Sequence, residues 1–120
     1  MREKLIRDRI PSLALAQGTS LVTRTASEQE LDRLLGLKLI EETHEVIDAL
    51  ANSPRGMLLD ELADLQTLIE EIARRRGIAL EEIEQRIEQK KAERGGFETG
   101  TVLRERGFKN PRLHVGGMDT

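Results

Sequence analysis

Residues 27–52 read SEQELDRLLGLKLIEETHEVIDALAN. Ser27 and Glu30 form a capping box: the hydroxyl accepts from the Glu30 amide, and the Glu30 carboxylate reaches back to the Ser27 amide. This predicts the start of a long helix that runs, free of proline, to about Asn52. At about 100° per residue, Leu31, Leu35, Leu39, Ile40, Val46, Ile47, Ala49 and Leu50 make one broad apolar stripe. Glu42 falls inside that stripe, between Leu35 and Leu39. Glu45 and Lys38 lie at its margin, and Glu41 lies further round.

Working outward, Ser53-Pro54 is a second start signal, with Ser as the cap and Pro in the first helical position. It predicts a helix to Arg76, stopped by Gly77. Its stripe is Met57, Leu58, Leu62, Leu65, Leu68, Ile69 and Ile72; Glu61 lies within it and Asp64 at its edge. A further helix is expected from Leu80 to Arg94, ended by Gly95-Gly96, although Ala79 offers no side-chain oxygen as a cap. Pro11 and Gly18 bracket a short helix over 11–17. Thr19–Ala26 is rich in β-branched residues and reads as a short strand, and Phe97–Arg104 as an extended segment able to pair with it. The expected fold is mainly all-α: two long antiparallel helices plus shorter ones, with a small two-stranded β accessory. Two long helices and a shorter one are too few to close a four-helix bundle, so oligomerisation is expected to complete it. Residues 1–104 form the expected domain and 105–120 a loose tail.

Composition narrows the function. The chain has 120 residues, one domain's worth, with 22 Asp plus Glu against 19 Lys plus Arg and a net charge of −3. Two Phe are its only aromatic residues. It has neither the aromatic platforms of single-strand binders nor the positive excess of duplex binders, so no nucleic-acid partner is expected. No apolar run approaches the ~20 residues of a membrane span. The charged opening MREKLIRDRIP is unlike a signal peptide, so a cytoplasmic location is expected. Zero cysteines remove disulfides, thiol nucleophiles and Cys-ligated zinc.

The acids admit two readings. Carboxylates spaced three or four apart on a helix are ordinarily a solvated face. Here they intrude on the buried side, where Lys38 is the one base that matches them. An isolated buried carboxylate costs several kcal/mol or takes up a proton. Two adjacent helices that push carboxylates into one interface repel each other, and a hard divalent cation removes the conflict. Mg²⁺ takes oxygen ligands and tends to keep waters, leaving room for phosphate oxygens. Glu42, Glu45, Glu61 and Asp64 are the ligand candidates.

Residues 38–46, KLIEETHEV, contain Glu41-Glu42-x-x-Glu45, and residues 60–65, DELADL, contain Glu61-x-x-Asp64. This pattern resembles the EExxE…ExxD signature of the all-α nucleoside triphosphate pyrophosphohydrolases, the MazG-like superfamily. KLIRDRIP (4–11) is similar to the opening of a MazG-like subgroup, and KKAERGGF (90–97) to the segment that closes its conserved region. The resemblance covers about residues 4–104. It implies hydrolysis of a nucleoside triphosphate to the monophosphate and pyrophosphate with Mg²⁺, or Mn²⁺ in its place. It also implies a homodimer or a tetramer built from dimers, and a role in clearing non-canonical nucleotides. Carried over by position, Glu42, Glu45, Glu61 and Asp64 match the metal-binding acids and Glu41 the first Glu of the pair.

On this reading Glu41 or Glu45 orients or deprotonates the attacking water. Arg7, Arg9, Lys38, Lys91 and Arg94 are the bases available for the anionic substrate, Arg94 foremost because Gly95-Gly96 lets backbone amides approach a phosphate. Glu41-x-x-His44 has the spacing of a di-iron bundle, but no second such pair exists and His44 is expected at the surface. Phe97 is expected to anchor a helix end, and the basic run Arg104, Arg106, Lys109, Arg112 to be solvated. Two alternatives stand beside the main reading. One is phosphoribosyl-ATP pyrophosphohydrolase of the same superfamily. The other is a non-catalytic helical module that binds a nucleotide or a partner.

Overall fold

The computed structural model describes residues 3–104. Four helices follow in order: α1 (Ile10–Ala16), α2 (Glu28–Asn52), α3 (Arg55–Arg75) and α4 (Leu80–Arg94). The chain divides into two compact units, Met1–Glu84 and Gln85–Thr120. The first contains α1, α2, α3 and the start of α4; the second contains the rest of α4 and the stretch after it. Among the described residues no helix is long and apolar enough to cross a membrane.

The capping box forms as the sequence predicts. The Glu30 amide donates to Ser27 Oγ at 3.3 Å, and the Ser27 amide donates to the Glu30 carboxylate at 2.9 Å. Arg24 then clamps that carboxylate and Glu3 together. At the other end, the Ser53 amide donates to the Ala49 carbonyl. Ser53 is therefore the C-cap of α2, and Pro54 takes the N-cap position of α3 with no side-chain cap bond. This corrects the expected cap by one residue. With only Ser53 and Pro54 between two helices, the serine is already committed to the helix before it. α4 starts at Leu80 as expected. It keeps only the reciprocal half of a capping box: the Ala79 amide donates to the Glu82 carboxylate at 2.9 Å. Gly77 and Gly95 sit at φ +68° and +78°, the left-handed region in which a helix end favours glycine.

α2 and α3 pack on each other. Arg75, near the end of α3, pairs with Glu28 and Asp32 at the start of α2, so the two helices run antiparallel. Leu34, Leu35 and Ala49 from α2 and Ala73 from α3 are the buried apolar residues. Leu37, Ile40 and Ile47 on α2 and Leu59, Leu62 and Ile69 on α3 remain exposed. The hairpin thus uses one face of each helix and leaves a second apolar face uncovered.

Among the described residues there is no strand. Residues 19–26 and 97–104 are irregular, so the expected β accessory is absent from them. β-branched residues favour a pleated, half-buried surface rather than an extended backbone as such. Val22 is fully exposed and lies on no such surface. Phe97 is also fully exposed, contrary to an anchoring role, and its carbonyl closes a turn with the Gly100 amide. The short helix α1 begins at Ile10, one residue ahead of Pro11. The expected loose tail 105–120, with Arg106, Lys109 and Arg112, lies outside the described residues.

Candidate metal centre

The helical period of α2 turns Leu35, Glu42 and Ala49 onto the side that packs against α3, and all three are buried. Glu42, at 7% exposure, is the only buried charged residue described. From α3, Glu61 and Asp64 lie three apart on the facing side and are half-buried. One carboxylate oxygen from each of Glu42, Glu61 and Asp64 converges, all within 4.8 Å of one another.

The surrounding charges divide this cluster unevenly. Lys38 Nζ lies 3.5 Å from both Glu41 and Glu42, and Lys4 Nζ lies 3.3 Å from Glu41. Arg7 donates to Asp64 at 2.6 Å and reaches the Thr67 hydroxyl at 3.4 Å. Among the described residues no Lys or Arg pairs with Glu61. Partial burial, then the charges of Glu45, Asp64, Glu42 and Asp60, push the Glu61 carboxyl above the ordinary glutamate range. Glu41 goes the other way. Burial works against its ionisation, but Lys4 and Lys38 outweigh it and hold its carboxyl low.

The donor set is made wholly of carboxylate oxygens; three of them converge, and one, on Glu61, has no Lys or Arg partner among the described residues. That is the chemistry of a hard divalent site, and the residues fit Mg²⁺ or Mn²⁺. Glu45 is exposed and stands outside the converging trio, yet close enough for its charge to act on Glu61. Lys38 and Arg7 are brought to the cluster as basic candidates. Arg9 is exposed at the start of α1. Lys91 and Arg94 occupy the last turn of α4, in the second unit, and are exposed. His44 is exposed, as expected.

Two participants were not singled out by the motifs. Lys4 lies within the KLIRDRIP segment, three residues before Arg7, and that spacing was its signal. Thr67 lies three residues after Asp64, and nothing in its own stretch marks it.

Residues 30–96 match the family described as MazG nucleotide pyrophosphohydrolase domain. Neither the curated proteins nor the solved structures give a match. The match spans more than half of the chain and contains Glu41, Glu42, Glu45, Glu61 and Asp64 together, so the chain belongs to the MazG nucleotide pyrophosphohydrolase domain family.

Proposed function

We propose that this protein hydrolyses a nucleoside triphosphate to the monophosphate and pyrophosphate, using Mg²⁺ or Mn²⁺ held by Glu42, Glu61 and Asp64, with Glu45 completing the set. The convergence of three carboxylates from two helices, inside the stretch that matches the family, carries this reading. A divalent cation in that set supplies neutralising charge between carboxylate and phosphate and a water of lowered pKa. The protein's own part is positional. Glu42 is fixed by burial, and Glu61 and Asp64 by the register of α3. Glu45, exposed beside Glu61, orients the attacking water or takes its proton; Glu41, held ionised by Lys4 and Lys38, is the other base. The anhydride bond between the α and β phosphates breaks, a water oxygen joins phosphorus, and the water's proton passes to a carboxylate. Lys38 and Arg7 offset the triphosphate charge, and Lys91 and Arg94 are further phosphate candidates.

A pyrophosphate-release screen with Mg²⁺ and with Mn²⁺ tests this. The panel should include dUTP, dCTP and phosphoribosyl-ATP. Release from at least one nucleotide is expected, and no release from any of them overturns the catalytic reading. Clearance of non-canonical nucleotides is the physiological role in keeping with the family, and the same panel ranks the substrates.

The working form is proposed to be a homodimer or a tetramer of two dimers. The uncovered faces, Leu37, Ile40 and Ile47 on α2 and Leu59, Leu62 and Ile69 on α3, support it. Sedimentation of the full chain should give a dimer or larger. Ile40→Glu together with Leu62→Glu should shift it toward the monomer, and a wild-type monomer at micromolar concentration would end this proposal.

A further inference from the structure

Residues 3–9, ahead of α1, have no helix or strand. Their side chains tie them to the rest of the first unit: Glu3 to Arg24, Lys4 to Glu41 and Arg7 to Asp64. Two of these three ties fall on acids of the candidate centre. The Arg7–Asp64 contact joins the metal question to the substrate question. Asp64 is one of the three converging carboxylates, and the base that now holds it is a guanidinium, the side chain best shaped for phosphate oxygens.

Charge decides what Arg7 does. Glu41, Glu42, Glu45, Asp60, Glu61 and Asp64 lie around Lys4, Arg7 and Lys38, so six acids meet three bases. The excess of acid leaves room for a divalent cation. A divalent cation on Asp64 would confront the Arg7 guanidinium across a single carboxylate, and like charges at that range repel. The same cation would leave Arg7 with no acid that needs it. A triphosphate arriving at the centre brings several anionic oxygens within reach. The Arg7 side chain is 57% exposed, so it is free to turn toward them.

Building on the pyrophosphohydrolase reading, we propose that Arg7 is an exchangeable counter-ion. It holds Asp64 while the centre lacks its divalent cation, and passes to a phosphate oxygen when cation and triphosphate are bound. Arg7 then opposes metal binding alone and favours triphosphate binding. One side chain therefore has effects of opposite sign on the two ligands.

The opposite signs provide the test. Mn²⁺ binding to the full chain is measured without nucleotide from the resonance of free Mn²⁺. Binding of inorganic tripolyphosphate is measured by calorimetry at saturating Mg²⁺. Arg7→Gln should bind Mn²⁺ about two- to fivefold more tightly than wild type, the range of an exposed ion pair. It should bind tripolyphosphate about tenfold more weakly, as expected for a lost charge-assisted contact. Arg24→Gln releases the Glu3 tie and touches no acid of the centre, so it should change neither value by as much. The exchange is overturned if Arg7→Gln leaves either affinity at the wild-type value, if both affinities fall, or if Arg24→Gln reproduces both shifts. If wild type itself binds no Mn²⁺, the metal centre falls and the exchange falls with it. If wild type binds Mn²⁺ and the variant matches it, only the exchange falls.

Discussion

Glu42→Gln is expected to lower kcat/KM for pyrophosphate release by at least about a hundredfold while the chain stays folded. That figure is the upper end for losing a group that merely supports a metal ligand, so it is a floor for losing a ligand itself. Glu42 is the most deeply placed carboxylate of the three, and the substitution removes its charge while keeping its shape. Gln is neutral and places an amide where the oxygen donor was, so metal affinity should fall with activity. Stability should not fall in step, because Glu42's one basic partner, Lys38, keeps its pair with Glu41. Asp64→Asn should behave alike in activity. The measurements are steady-state pyrophosphate release and Mn²⁺ binding on the same preparations. Full activity with normal metal binding in both variants would remove these residues from the site.

How far this was legible in the sequence follows from the range of each interaction. The Ser27–Glu30 box spans three residues, so local pattern suffices to place the start of α2. Glu42 was legible for a related reason. A helix carries its period through 25 residues, and a carboxylate in phase with Leu35 and Ala49 must go where they go. Asp64 and Glu61 followed from α3 in the same way. What was not legible depends on partners far along the chain. Arg7 meets Asp64 across 57 residues, and nothing local to either announces the pair. The segment 19–26 has the composition of a strand, but a strand needs a ladder partner, and none exists among the described residues. Ser53-Pro54 carried a cap signature that the close succession of α2 and α3 overrode. In sequence the apolar stripe of α2 is one broad band. The structure divides it into a face that meets α3 and a face, through Ile40 and Ile47, that stays exposed among the described residues.

Glu61→Gln should remove most of the stabilisation by divalent cations and invert the order of the two melting temperatures between EDTA and Mg²⁺. In the folded chain Glu61 keeps its proton to higher pH than in the unfolded chain, because partial burial and the charges of Glu45, Asp64, Glu42 and Asp60 oppose its ionisation. As pH rises past the ordinary glutamate value, the unfolded state ionises first. The stability that the raised value contributes is present below that point and is lost as pH climbs through the folded value. The chain in EDTA should therefore lose stability across this window. Gln at position 61 carries no charge at any pH, so the variant in EDTA should melt above wild type at neutral pH and no longer above it under acid conditions. Saturating Mg²⁺ inverts the order. Wild type should gain roughly 10 °C in Tm at a hundredfold excess over Kd, since a ligand bound only by the folded state stabilises it by mass action. The variant, one carboxylate short, should gain little. Four melts at neutral pH and one protein concentration, wild type and variant with EDTA or Mg²⁺, contain the test, with the EDTA pair repeated in acid. If Mg²⁺ raises both proteins equally, Glu61 is not a ligand. If the variant in EDTA melts below wild type at neutral pH, the repulsion ascribed to this cluster does not govern its stability. The crossing of the two orders separates a metal site from a solvated acidic face, because a solvated face has no repulsion for Gln to relieve and no cation for Gln to lose.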